Sequence, residues 1–192
     1  HERHTTGKGR HIDASLFDVQ VAMLANQASN ELVGHTHPTR MGNAHPNIVP
    51  YQVFPTRDGH MVLAVGNDGQ FERFCLAAGH PEVAADPAYK TNPARVKNRE
   101  TLVPMLTAWM MQRDTKEWGQ LLDNASVPCS PILDVEQVMM HPHVLARGMK
   151  LTSADPAVPP MIAQPMLING QRLTSELTPP ALGGGVAAWG AK

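Results

Sequence analysis

Aromatic side chains are scarce in this chain: four Phe, three Trp and two Tyr make up 5% of its 192 residues. A core must therefore be packed from aliphatic residues and from the 11 methionines, whose flexible thioethers fill irregular gaps. Cysteine is scarcer still. Cys75 and Cys129 stand far apart and form no C-x-x-C pair, which leaves two free, buried thiols in a reducing compartment as the expectation. Neither sign of charge prevails: 16 Lys and Arg against 17 Asp and Glu leave a net −1. That balance carries no electrostatic footprint for nucleic acid. No apolar run approaches the ~20 residues that cross a bilayer, and no signal-peptide pattern opens the sequence. No internal repeat is visible. The expected location is the cytoplasm, without a membrane partner.

What is present suits a globular chain with a buried core, 42% hydrophobic and 17% charged. The first residue is His1, and the polar, basic stretch after it fits a piece cut from a longer polypeptide. His11-Ile12-Asp13 reads as a strand end leading into a helix from about Ser15 to Leu32. Ser15 and Asp18 make a capping-box-like start. The helix carries apolar residues over a wide face (Leu16, Phe17, Val19, Val21, Met23, Leu24), so it calls for a partner. Residues 34 to 50, with three prolines, lack periodicity and read as a loop.

Tyr51–Pro55 and His60–Val65 form a β-hairpin pattern closed by Asp58-Gly59. A helix follows from about Gln70 to Ala78, ended by Gly79. Asn92-Pro93 reads as a cap and first helical position of a long helix running to Met111. Thr115 reads as the cap of the next helix. After Pro131 come a short helix, a strand near Met149-Lys150-Leu151, and a Pro-rich tail with a Gly183-Gly184-Gly185 run. This order of elements is α+β.

Several groups invite a chemical role. His35-x-His37 and His141-x-His143 lack a cysteine or carboxylate at ligand spacing, so no metal site is expected. Arg95, Lys97 and Arg99 read as a solvated helix face, with a patch near phosphates as the alternative. In Gly66-Asn67-Asp68-Gly69-Gln70-Phe71, a strand gives way to a helix. Asn67 or Asp68 can serve as N-cap there, and that is a sufficient structural reason for either.

Four ordered stretches carry a resemblance. They are Thr6–Leu16, then Gly42-Asn43-Ala44-His45-Pro46-Asn47-Ile48-Val49-Pro50-Tyr51, then Gly66–Phe71, and last Val127–Ile132 with His141-Pro142-His143 and Arg147-Gly148-Met149. Together they resemble the C-terminal portion of the family III CoA-transferases, the CaiB/BaiF-like formyl-CoA transferase superfamily. The resemblance implies a small α/β domain over 51–130. Residues 1–50 would be a connecting segment and helix, and 131–192 a return segment, both packing on a Rossmann-like large domain. It also implies an interlocked homodimer.

By the same resemblance, coenzyme A is a substrate and no cofactor is bound permanently. The partners are an acyl-CoA and a carboxylic acid. A carboxylate attacks the thioester to give a mixed anhydride and free CoA thiolate; the acceptor acid then displaces the acyl group. Water must be kept out between the steps. The nucleophilic aspartate is expected upstream of this chain, so no catalytic residue is assigned within it, although Asp68 is a carboxylate on a tight turn. Asn43, His45, Pro46, Asn47 and Ile48 match the family's mobile loop, here with proline where some relatives have glycines. Asn67, Asp68 and Gln70 match a turn facing the acyl pocket, whose Asn-Asp form resembles the transferases rather than the related racemases. The rival readings are an α-methylacyl-CoA racemase-like isomerase and an inactive dimerisation or binding fragment.

Overall fold

In the computed structural model, described for residues 2–153, 156 and 158–172, the chain divides into two compact units, 1–131 and 132–192. The class is mixed helix and antiparallel sheet, α+β as the element order implies.

The first unit opens with three short helices, α1 (Glu2–Thr6), α2 (Leu16–Ala22) and α3 (Ala25–Leu32). Ser15 caps α2 by accepting from the Asp18 N–H. The single helix expected over 15–32 is broken, with Ala25 at a φ of 36°. None of its residues is buried. Propensity alone holds short helices poorly, and Val19 and Val21 are weak formers without packing. No strand forms at His11–Asp13, because a strand needs a ladder partner and the described residues pair none with it.

The core of this unit is built on a hairpin of β1 (Tyr51–Pro55) and β2 (His60–Ala64), joined in register from Tyr51↔Ala64 to Pro55↔His60. Strand periodicity sends Phe54, Met61 and Leu63 to one face, all fully buried. Against that face pack α4 (Asp68–Ala78), α7 (Arg99–Met110) and α8 (Thr115–Asn124), with α5 (Pro81–Ala85) and α6 (Asn92–Lys97) between α4 and α7 in sequence. Helix α4 buries Phe71, Phe74, Cys75 and Ala78, the i, i+3, i+4, i+7 stripe of an amphipathic helix. Gly79 ends it at a φ of 88°, a conformation that favours glycine. Trp118 is buried in α8 and satisfies its indole N–H on the Met110 carbonyl at 2.8 Å.

The hairpin turn is sewn to α8. Asp58 accepts from the Thr115 N–H and hydroxyl, at 2.7 and 2.8 Å. These bonds, the backbone one foremost, hold its carboxyl below the usual carboxylate range. The cap of α8 is Asp114, in a capping box with Glu117, and not Thr115, whose hydroxyl is spent on Asp58 and Thr56. A third strand, β3 (Cys129–Pro131), adds to β2 through Met61↔Pro131 to Leu63↔Cys129. Cys75 is fully buried, and burial pushes its thiol up to about 12. Cys129 is only partly buried, against the expectation of two buried thiols.

The long helix expected from Asn92 is also divided. Asn98 interrupts it at φ −103°, ψ 24°. Its side-chain amide donates to the carbonyls of Ala88 and Ala94, a local alternative to the helical ladder. Thr91 is the cap of α6 and accepts from the Ala94 N–H, which leaves the Asn92 side chain free for other use.

The second unit holds α9 (Val135–Met140), opened by an Asp134/Gln137 capping box, and α10 (Pro142–Ala146). The expected strand near 149–151 is β4 (Lys150–Leu151), paired with β5 (Met161–Ile162). A final two-stranded ladder, β6 (Leu167–Ile168) with β7 (Gln171–Arg172), turns on Asn169-Gly170, with φ of 51° and 78°. Two successive positive φ values at Asn-Gly are the favoured hairpin connection. The Gly183–Gly185 run lies outside the described residues.

Candidate functional site

The two stretches singled out in the sequence, 42–50 and 66–70, are brought together by residues of α6 and the start of α7. Asn67 is the N-cap of α4, accepting from the Gln70 N–H at 2.9 Å. Asp68, the first residue of the helix, is not the cap. Its Oδ1 accepts from the Asn92 N–H at 2.8 Å and from Arg95 Nη2 at 2.9 Å. The Gln70 side chain turns back so that its Oε1 accepts from the Gly66 N–H at 2.6 Å. Its amide nitrogen has no hydrogen-bond partner among the described residues.

Arg95 joins the two stretches. Its side chain is fully buried, while that of Asp68 is 53% exposed. Nε donates to the Val49 carbonyl at 2.6 Å, and Nη1 to the carbonyls of Tyr89 and Lys90 at 3.0 and 3.3 Å. The guanidinium also lies 4.4 Å from the centre of the Phe71 ring. Burial pulls the Arg95 pKa below the usual arginine value, and the Asp68 carboxylate offsets part of that pull. An arginine stays charged through such a shift. Its donors are distributed over three carbonyls, a carboxylate and a ring face, which is how a buried guanidinium is tolerated.

Asn92 repeats the bridge from the other side. It accepts from the Val49 N–H at 3.2 Å and donates to the Asn47 carbonyl at 2.8 Å. Arg99 donates to the carbonyls of His45 and Pro46. The Arg95–Lys97–Arg99 patch is thus not a solvated helix face: Arg95 is core and Arg99 is half-buried on the loop, with only Lys97 exposed.

Within the loop, Asn43 Oδ1 accepts from the Val53 N–H at 2.9 Å. The His45 N–H bonds the Tyr51 carbonyl at 2.9 Å, and its ring stacks on Tyr51 at 5.4 Å. The Asn47 N–H donates to His45 Nδ1 at 3.1 Å, and the Asn47 side chain donates to Asn30 Oδ1 at 2.9 Å. Pro46 and Ile48 are half-buried between these anchors. Beside the α4 start a cleft of about 400 Å³ has Asp68, Glu72, Leu76 and Lys90 in its lining.

As a nucleophile Asp68 is poorly placed. One of its oxygens serves a cation and an amide, and charge-assisted bonds of that kind withdraw electron density from an attacking carboxylate. No group of three or more metal-ligating side chains occurs among the described residues.

Sequence reasoning missed Asn92, Arg95 and Arg99 as parts of this arrangement. A signal was available for one of them. Arg95 falls seven residues before Leu102, and in the undivided helix that the sequence suggests the two share a face, although in the structure they stand on α6 and α7.

The family model of CoA-transferase family III matches residues 1–185. The chain is 40% identical over 93% of its length to the succinate–glutarate CoA-transferase of Agrobacterium fabrum, of which it covers 45%. It is 36% identical over 94% of its length to the human succinyl-CoA:glutarate CoA-transferase, covering 42% of that protein. Among solved structures it resembles a CaiB/BaiF family protein from Brucella suis, with a TM-score of 0.77 and 41% identity over 98% of this chain and 49% of that one. The chain spans about half the length of the curated relatives it matches. On the strength of the family match over almost its whole length, the chain belongs to family III of the CoA-transferases.

Proposed function

We propose that this chain is the loop-bearing part of an acyl-CoA transferase that moves CoA between carboxylic acids through an aspartyl mixed anhydride. The nucleophilic aspartate comes from a segment upstream of these 192 residues. The observation that carries the reading is the joining of 42–50 to 66–70 through Asp68, Asn92 and Arg95, because a lid and a pocket turn must be held in one register to enclose an intermediate. In this reading Asn43, His45, Pro46, Asn47 and Ile48 close over the anhydride and exclude water. The free amide of Gln70, at the positive end of the 11-residue α4, reaches the acyl group. Coenzyme A enters and leaves as a substrate. The relatives' names, succinate–glutarate and succinyl-CoA:glutarate, point to dicarboxylic acids as donor and acceptor, and favour transfer over racemisation.

Residues 1–50 and 131–192 then belong with a large domain, and 51–130 form the small one, in a cytoplasmic, interlocked homodimer. The α2–α3 segment supports the association: Leu16, Phe17, Met23, Leu32 and Val33 are 70–86% exposed. Apolar surface of that extent usually marks an interface. Sedimentation of residues 1–192 should show self-association, most simply a C₂ dimer. A clean monomer at tens of micromolar, with full helicity, contradicts this part of the reading.

The reading is tested by exchange. Residues 1–192 alone should not move labelled CoA from succinyl-CoA to glutarate, whereas the whole protein that contains them should. Turnover by 1–192 above background overturns the upstream nucleophile. Absence of exchange in the whole protein, with these and other dicarboxylates, overturns the transferase reading.

A further inference from the structure

The 42–50 stretch contains no helix or strand of its own, yet its middle is tied down by one side chain from α7. Arg99 Nη2 donates to the His45 carbonyl at 2.9 Å and to the Pro46 carbonyl at 2.8 Å. Both hydrogens of that nitrogen are used, on two successive peptide units more than fifty residues away in sequence. Fixing these carbonyls sets the peptide planes on both sides of Pro46. The same local backbone carries the His45 ring on Tyr51 and the Asn47 N–H on His45 Nδ1. Arg95 holds the far end of the stretch at Val49.

We infer that Arg99 is a positioning residue, one that acts by aiming the His45–Asn47 segment rather than by binding CoA phosphate. Its importance for turnover rests on the transferase reading above; the anchoring itself does not. Both bonds leave one guanidinium nitrogen, and a lysine ammonium, which can also serve two acceptors but on a shorter stem, replaces it in part. The methionine variant keeps the aliphatic stem and removes the donors.

Two measurements decide it. In residues 1–192, Arg99→Met should speed amide exchange at His45, Asn47 and Val53 by about tenfold, a loss of about 1.4 kcal/mol in local protection. Exchange at Leu106, Trp109 and Met110, buried residues in the second half of α7, should not change, and Arg99→Lys should recover part of the loop protection. In the whole protein, Arg99→Met should lower kcat for CoA transfer by about tenfold to a hundredfold, as a displaced reacting group does. The KM for acyl-CoA should stay within about twofold. Unchanged exchange at the three loop amides overturns the inference, and so does acceleration spread evenly through α7, which would make Arg99 a general stability residue. A rise in KM for acyl-CoA at constant kcat overturns it in favour of a phosphate ligand. If the wild-type whole protein transfers no CoA, the transferase reading falls, and the exchange experiment still decides the anchoring.

Discussion

Asp68→Ala should be the most destabilising single change in the stretches 42–50 and 66–70. It removes the carboxylate that, among the described residues, pairs with the fully buried guanidinium of Arg95, and leaves the Asn92 N–H without its acceptor. Stripping one partner from a buried pair leaves an uncompensated charge, at 3–5 kcal/mol where both groups are deep in the interior. Asp68 is half exposed, so water compensates part of the loss, and roughly 3 kcal/mol is the expected figure. Asp68→Asn keeps an acceptor oxygen for both donors and should lose only about 1 kcal/mol. The urea midpoint of residues 1–192 should fall accordingly for the two variants, with the slope unchanged. Equal losses for Ala and Asn would show that the charge of Asp68, and not its acceptor oxygen, carries the whole contribution. Arg95→Met should also be costly, since it strands the carbonyls of Val49, Tyr89 and Lys90.

That prediction differs from the one the sequence supports. From the sequence, Asp68 is an exchangeable cap beside Asn67, and its removal would cost no more than a cap does. Capping is local and was legible in part: Ser15, Gly79 and the Asp58-Gly59 hairpin stand where their side-chain chemistry puts them, whereas the caps read at Asn92 and Thr115 fall one residue earlier, at Thr91 and Asp114. The non-periodic character of 34–50 was legible for the same reason, since its prolines and glycines forbid a ladder. The partner of Asp68 was not, because Arg95 is 27 positions away and its burial depends on how α6 meets the start of α4.

Elsewhere local signals misled. Two prolines disguised β3, which can sit on a sheet because it is an edge strand and needs fewer donors. The helix read from Asn92 to Met111 is divided in two at Asn98, whose side-chain bonds compete with the helical ladder. The α2–α3 segment reads as one long amphipathic helix, but nothing in this unit buries it. At the candidate site the sequence identified both loops by resemblance and could not supply what joins them. The arginines that do so looked like surface charge.

Gln70→Ala is the other change with a large expected effect, and it acts on two quantities. The side-chain oxygen holds the Gly66 N–H at 2.6 Å, so its loss should lower stability by about 1 kcal/mol. The amide nitrogen is free to donate, and if it faces the acyl group its loss should also lower kcat/KM by about 1–3 kcal/mol of transition-state stabilisation. Gly66→Ala serves as the control for loop disturbance. It keeps the Gln70 side chain but sets a new methyl carbon 3.3 Å from Gln70 Oε1, close enough that the amide must shift by a few tenths of an ångström, so it reads what displacement without removal does.

The central claim is that the turn from Gly66 to Gln70 faces the reacting acyl group. Its most direct test is the kcat/KM for CoA transfer to glutarate by the whole protein carrying Gln70→Ala, measured well below the melting temperature of that variant. A loss of about tenfold or more, beyond that of Gly66→Ala, is the result expected for a side chain that donates to the acyl group. An unchanged kcat/KM, with only the melting temperature lowered, would reduce this turn to the start of a helix and contradict the account.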